Sequence, residues 1–173
     1  NFFLSALFPG DELQIMDYNK AVADLNGLTK EEFLEQVSGR FTVTEAGSQA
    51  VRPEKKGVFG MYLDGLWYRL ETKRRSSGDP VEGLDVSVFQ DTLLGPVLGI
   101  GGPRTDKRIA FIGGIRGLSE LERRCGNDMR AAFSMYPTSI EELFRVADEA
   151  RLMPPKSTWF EPKLRSGLFI HII

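Results

Sequence analysis

The sequence predicts an α/β (or α+β) fold in which helices pack on a mixed β-sheet. Asp64-Gly65 separates two apolar segments in the pattern of an antiparallel hairpin. Strand and helix patterns alternate through the final third of the chain, which indicates a C-terminal βαβαβ segment. The chain has 173 residues, of which 42% are hydrophobic and 27% charged, so a single domain over residues 1–173 is expected.

The first half of the chain predicts four strands beyond the opening one, and two helices. Thr29 and Glu32 form a capping box, which marks the start of a helix. Gly27 ends the helical pattern before it, and alternation of polar and apolar residues indicates the strands. In order, the predicted elements are strands 2–8 and 13–18 around the turn Pro9-Gly10-Asp11, a short helix 21–26, a helix from 29 to about 38, strand 41–44, and hairpin strands 58–63 and 66–70.

The second half begins with residues 72–83, which are polar and are predicted to form an exposed, mobile connection. Thr138 and Glu141 form a second capping box, which predicts a helix to about Arg151. The elements predicted after the connection are helix 85–94, strand 108–112, helix 118–124, strand 129–135, helix 138–151, a proline-rich loop and strand 167–173. Because strands and helices alternate here, we expect parallel neighbouring strands joined by right-handed crossovers.

Composition excludes several classes of function. The net charge of -2 gives no global attraction to nucleic acid or to an anionic membrane, and no apolar run is long enough to form a membrane helix. With one cysteine and one histidine, the chain cannot hold a cysteine zinc cluster or a polyhistidine metal site. We therefore expect a cytoplasmic protein without a metal site. Because it begins at Asn1 in a strand-like sequence, we expect it to be a fragment of a longer protein.

The proline-rich loop holds the strongest candidate for a binding site. Lys156, Ser157, Thr158 and Lys163 combine two positive charges with two hydroxyls, which suits a phosphate or carboxylate. The alternative is structural: prolines stiffen the loop, the aromatic residues pack, and the lysines face solvent.

Asn19 and Lys20 are the second candidates for ligand contact. They lie in the polar stretch Asp17–Lys20, at the predicted end of a strand, where ligands often bind in α/β sheets. The alternative is that Asp17 or Asn19 caps the helix predicted after it.

Three further features carry weaker signals. The glycine-rich turn at residues 113–117 lies between a strand and a helix, but Ile112 occupies a position where a dinucleotide-binding turn needs glycine. Its glycines are therefore expected to serve backbone geometry. His171 lies inside a predicted strand and is interpreted as structural, and Cys125 as an ordinary thiol.

Several blocks of the sequence together resemble one family. The blocks are Leu7-Phe8-Pro9, Leu13–Lys20, Gly57–Tyr62, Leu84–Val88, Tyr136–Ser139, Met153–Lys163 and Ser166–Leu168. The set resembles the C-terminal half of the domain-of-unknown-function 1015 proteins of bacteria and archaea. In that family an upstream Asp-Gly-His-His-Arg-like motif invites comparison with ParB-like and sulfiredoxin-like nucleotide-using proteins. The resemblance implies that the chemical centre lies in the absent N-terminal half, and that Lys20 replaces an arginine.

Three hypotheses for function follow. In the first, the chain completes a cleft for a phosphate-bearing or nucleotide ligand together with the missing N-terminal half of the same protein. In the second, it is a non-catalytic packing or oligomerisation module, with Trp159 and Phe160 as an interface clasp. The third, an independent hydrolase, is disfavoured because no nucleophile turn accompanies His171. Whether the protein is an enzyme, and which cofactor it uses, are left open by the sequence.

Overall fold

A six-stranded sheet and a separate two-stranded ribbon organise the computed structural model, which describes residues 9, 12–74 and 77–163. The strands are β1 (Gln14–Met16), β2 (Tyr18–Val22), β3 (Phe41–Gly47), β4 (Val58–Leu63), β5 (Leu66–Thr72), β6 (Ile109–Gly113), β7 (Ala131–Ser134) and β8 (Trp159–Glu161). The helices are α1 (Lys30–Arg40), α2 (Asp85–Phe89), which continues as a π-helical turn (Gln90–Leu94), α3 (Ser119–Cys125) and α4 (Ile140–Asp148). A 3₁₀ turn (Gly114–Arg116) follows β6.

The strand order of the sheet is β3-β5-β4-β7-β2-β6, and β1 pairs with β8 in the ribbon. The predicted fold class is confirmed, since helices pack on a sheet that contains the hairpin. The prediction of parallel neighbours is wrong, because every pairing among the described strands is antiparallel. β6 and β7 run in the same direction, but β2 lies between them and pairs with both.

The hairpin between β4 and β5 is confirmed at its predicted turn. Asp64 has φ 51° and Gly65 has φ 81°, the left-handed conformations that a two-residue hairpin turn requires. Leu63 then pairs directly with Leu66.

The core lies on both faces of the sheet. Neighbouring residues of β2 and β7 point to opposite faces, as strand geometry requires: Val22 and Phe133 pack with α1 and α2, whereas Ala21 and Ala132 pack with Leu121 of α3. Tyr18 and Lys20 share the face of Val22 by the same alternation. This face, the one covered by α2, also carries the loop discussed below.

The first capping box is confirmed. Thr29 Oγ1 accepts from Glu32 N at 3.3 Å, while a carboxylate oxygen of Glu32 accepts from Thr29 N at 2.8 Å. The second box lies one residue later than predicted, at Ser139 and Glu142. The shift places Glu141 on the exposed side of the first turn of α4.

α4 ends at Asp148, short of the predicted Arg151, in a Schellman motif. Ala150 takes the left-handed position (φ 52°), and Arg151 N donates to Val146 O at 3.0 Å. Pro154 and Pro155 then prevent the helix from resuming.

The predicted short helix 21–26 is wrong. Ala21 and Val22 instead complete β2, where β6 and β7 flank them on both sides. Pairing with two partners outweighs the local helical preference of this run.

The proline-rich segment forms part of the ribbon instead of remaining a loop throughout. Trp159, Phe160 and Glu161 pair with Met16, Ile15 and Gln14. Two predicted strands, 2–8 and 167–173, lie outside the described residues, as does His171. Within the described ranges, no helix has the length and apolar character needed to cross a membrane.

Candidate functional site

A pocket of about 420 Å³ lies between the start of β2 and the segment that follows α4. All four residues predicted to hold an anion line it: Lys156, Ser157, Thr158 and Lys163. The remaining lining residues are Tyr18, Met153, Pro154 and Trp159. Its volume falls in the range typical of small-molecule sites.

Two aromatic rings form the wall of the pocket. Tyr18 and Trp159 meet edge to face, with ring centroids 5.3 Å apart. The indole packs directly on Gly113, where a Cβ atom would approach the ring to 2.7 Å. Trp159 Nε1 donates to Glu161 Oε1 at 2.7 Å, which fixes the ring in its plane. Absence of a side chain at Gly113 is therefore what allows the ring to lie there.

The two lysines of the pocket face these rings and not carboxylates. Lys163 Nζ lies 4.0 Å from the centroid of Trp159, and Lys156 Nζ lies 5.9 Å from that of Tyr18. Among the residues the structure describes, neither lysine forms an ion pair. By contrast, Lys55 pairs with Glu71 at 2.8 Å. Cation–π contact leaves the N–H groups of an ammonium free to donate to an anion.

The backbone of the loop around Lys156 is held in a defined conformation. Thr138 Oγ1 donates to the carbonyl of Ser157 at 3.2 Å, which ties the loop to the start of α4. Lys156 has φ 58°, a left-handed conformation that costs a non-glycine residue about 1 kcal/mol. Such conformations persist where surrounding contacts impose them, and they concentrate at functional sites.

Asn19 and Lys20 do not reach this pocket. Both side chains are buried inside β2, in the interior of the sheet and not at a strand end. Asn19 Nδ2 donates to Asp17 Oδ2 at 2.5 Å, and its Oδ1 accepts from Met135 N at 2.9 Å. The alternative, that Asp17 or Asn19 caps a following helix, is also wrong, because β2 continues through these positions. The role that the structure gives to Asn19 is to join β2 to the end of β7.

Lys20 is buried between β2 and α2. Its Nζ donates to Tyr18 O at 3.3 Å and lies 5.9 Å from the ring centroid of Phe89. Burial lowers the pKa of Lys20 to about 8, an effect that the nearby Asp85 partly opposes. Burial also raises the pKa of Asp85 to about 6, although both its carboxylate oxygens accept from Gly57 N at 3.0 Å. Lys20, Gly57 and Asp85 come from three of the blocks on which the family resemblance was based.

The glycine-rich turn after β6 serves packing, in line with its expected structural role. A Cβ atom on Gly114 would clash with the carboxylate of Asp17, just as one on Gly113 would meet Trp159. Gly114 N also donates to Asp17 O at 2.8 Å. Its two leading glycines thus let the ribbon lie close to the sheet, directly beneath the pocket.

Tyr18 is the pocket residue outside the proline-rich segment, and sequence reasoning missed it. It belongs to the stretch that included Asn19 and Lys20, but strand alternation places Tyr18 and Asn19 on opposite faces. Asp85 was likewise not predicted as a half-buried acid. Its position at the first residue of α2 was the available signal, since helix N-termini favour carboxylates.

Comparison with known proteins gives a family. Residues 1–87 match the model of a family described as "Protein of unknown function (DUF1015)". The chain belongs to this family. The resemblance drawn from the sequence blocks is thereby confirmed. No curated protein matches this DUF1015 chain.

Solved structures of a free serine kinase are similar in fold. A mutant of that enzyme in complex with AMP matches with a TM-score of 0.51 and 14% identity, covering 87% of this chain and 55% of that chain. A complex of a mutant kinase with ADP matches with a TM-score of 0.48 and 16% identity. The DUF1015 chain therefore spans about half the length of the kinase structures it matches. At this identity the likeness shows the fold alone.

Proposed function

We propose that this chain provides the phosphate-binding wall of a ligand cleft. The observation that carries the proposal is the convergence of Lys156 and Lys163 on one pocket without a carboxylate partner among the described residues. Ser157 and Thr158 add hydroxyl groups that can donate to phosphate oxygens. In this proposal the remaining part of the same protein closes the cleft and supplies any reacting groups.

The arrangement of the aromatic residues supports a ligand site over the alternative of an oligomerisation clasp. A clasp requires Trp159 and Phe160 to be exposed in the isolated chain. Both are instead half-buried, Trp159 against Gly113 and Tyr18, and Phe160 opposite Ile15 in the ribbon. Light scattering would support the clasp if it detected an assembly that dissociates when Trp159 is replaced by alanine.

The test is binding of inorganic pyrophosphate and of AMP, measured by isothermal titration calorimetry. AMP is the first nucleotide to examine because the free serine kinase of similar fold was solved with it. Lys156→Gln and Lys163→Gln each remove one positive charge and keep most of the side-chain stem. A hydrogen bond to a charged group contributes about 1.5–3 kcal/mol, so each variant is expected to weaken both ligands about tenfold or more.

Lys107→Gln is the matched control. Lys107 is exposed and, within the described ranges, forms no ion pair, so it loses the same charge. It lies in the turn before β6, and the strand from Ile109 to Gly113, roughly 13 Å long, separates that turn from the end of β6 on which Trp159 packs. Affinity that falls equally in all three variants would reflect net charge alone. Affinity unchanged by Lys156→Gln and Lys163→Gln would refute the proposed site.

A further inference from the structure

A second cavity lies on the other side of Pro154 from the lysine pocket. Its volume is about 450 Å³, and α2, the loop after the π-helical turn and the proline pair enclose it. Apolar side chains form most of its surface, among them Val81, Val86, Pro103 and Pro155. Since Pro154 borders both cavities, the two cavities adjoin at that residue.

The two cavities differ in charge. Lys156 and Lys163 line the first, whereas Glu82 and Asp91 line the second, which has no lysine or arginine in its lining. Carboxylates repel a phosphate, and apolar walls favour a planar, uncharged ring. A ligand with a phosphate and a planar ring can therefore bind only with its phosphate in the first cavity and its ring in the second.

Gln90 supplies a polar group in the second cavity. Its Nε2 donates to Ile100 O at 2.6 Å, which fixes the orientation of the amide. Its Oε1 is the one buried side-chain oxygen without a hydrogen-bond partner in the part of the chain that the structure describes. An unsatisfied buried acceptor costs about 1–3 kcal/mol. Because this oxygen is covered in the present conformation, the Gln90 side chain has to turn toward the cavity to accept an N–H from a bound ring, which would remove that cost.

We propose that the ligand is a nucleoside 5′-phosphate, with its phosphate at Lys156 and Lys163 and its base in the cavity beside Pro154 and Pro155. The base is of the class that carries an exocyclic amine, which donates to Gln90 Oε1. This assignment rests on the proposed phosphate site, and it adds the ligand class and the direction of binding.

Gly101→Trp tests the base cavity. Gly101 lines that cavity, is exposed, and has open space where a Cβ atom would stand, so the backbone there accepts a side chain and an indole is expected to obstruct the cavity. Gly39→Trp is the control, because Gly39 is exposed in α1 with the same open space and lines neither cavity. Circular dichroism and melting temperature establish that both variants fold.

Three probes separate the parts of the proposal in calorimetry: AMP, ribose 5-phosphate, and purine riboside 5′-phosphate, which lacks the amine. AMP is expected to bind at least about tenfold tighter than ribose 5-phosphate, with the purine riboside compound between them. Gly101→Trp is expected to reduce the affinity for AMP to that for ribose 5-phosphate and to leave ribose 5-phosphate unchanged.

The outcomes distinguish a failure of the base cavity from a failure of the proposed phosphate site. Equal affinity for AMP and ribose 5-phosphate, or AMP binding unaffected by Gly101→Trp, overturns the base cavity and leaves the phosphate site standing. Equal affinity for AMP and purine riboside 5′-phosphate overturns the hydrogen bond to Gln90. Absence of binding by AMP, ribose 5-phosphate and pyrophosphate overturns both proposals.

Discussion

The buried amine of Lys20 makes the free energy of unfolding depend on pH between the pKa of Lys20 in the fold and its ordinary pKa. Its pKa is about 8 in the fold, against an ordinary value of 10.5. Between those values the unfolded chain holds a proton that the folded chain has released, so stability rises with pH across the window. At 1.36 kcal/mol for each pKa unit, the full effect is about 3 kcal/mol.

Lys20→Met removes the amine and keeps an unbranched side chain of similar length. The free energies of unfolding of both proteins are measured by urea denaturation from pH 7.5 to pH 10.5. Other groups titrate equally in the two proteins and cancel in the difference. The free energy of unfolding of Lys20→Met minus that of the wild type is expected to fall by about 3 kcal/mol across this range, because only the wild type gains stability as Lys20 deprotonates.

Lys107→Met serves as the control for Lys20→Met, since it removes an amine that is exposed instead of buried. A constant difference for Lys20→Met would show that the pKa of the amine is the same in the folded and unfolded chain, as for a charged, hydrated amine. A difference that grows with pH would mean that Asp85 stabilises the charged amine by more than burial destabilises it. Either result would refute the assignment of burial as the dominant effect on Lys20.

Two further substitutions test how the ribbon and sheet are joined. Gly113→Ala places a Cβ atom 2.7 Å from the Trp159 ring, so it is expected to lower the free energy of unfolding by about 1–3 kcal/mol and to change the indole fluorescence. Gly101→Ala, which has open space around its Cβ atom, should do neither. Equal melting temperatures for the two variants would contradict this. Asn19→Ala leaves Met135 N without its acceptor and the Asp17 carboxylate with only Arg52 at 3.9 Å, so urea denaturation should show a loss of about 2–3 kcal/mol. A loss below about 0.5 kcal/mol would contradict it.

Local chemistry accounts for the elements that the sequence predicted well. The turn Asp64-Gly65 and the capping box of Thr29 each depend on a few adjacent residues, and both form where expected. β2 was mispredicted at Ala21 and Val22 because its conformation depends on β6 and β7. Those strands lie about 90 and 110 residues further along the chain, and no local pattern reports them.

The same division between local and long-range contacts explains why only part of the candidate site was predicted. Lys156, Ser157, Thr158 and Lys163 are neighbours in sequence, so one segment brings all four to the pocket. Tyr18 lies about 140 residues earlier and reaches the pocket only because β1 pairs with β8. Lys20 was predicted as a ligand contact because it belongs to a polar stretch at a predicted strand end, but the alternation of β2 that turns Tyr18 toward Trp159 also turns Lys20 beneath α2.

Overall charge conceals the feature on which the proposed function depends. A chain with a net charge of -2 has no general attraction for anions, and most of its described lysines and arginines are neutralised by carboxylates, as in the pairs of Lys55 with Glu71 and of Arg124 with Asp128. Lys156 and Lys163 instead lie against aromatic rings, which attract a cation without cancelling its charge. Positive potential is therefore retained at this pocket, and the proposed function takes it to be what attracts a phosphate there.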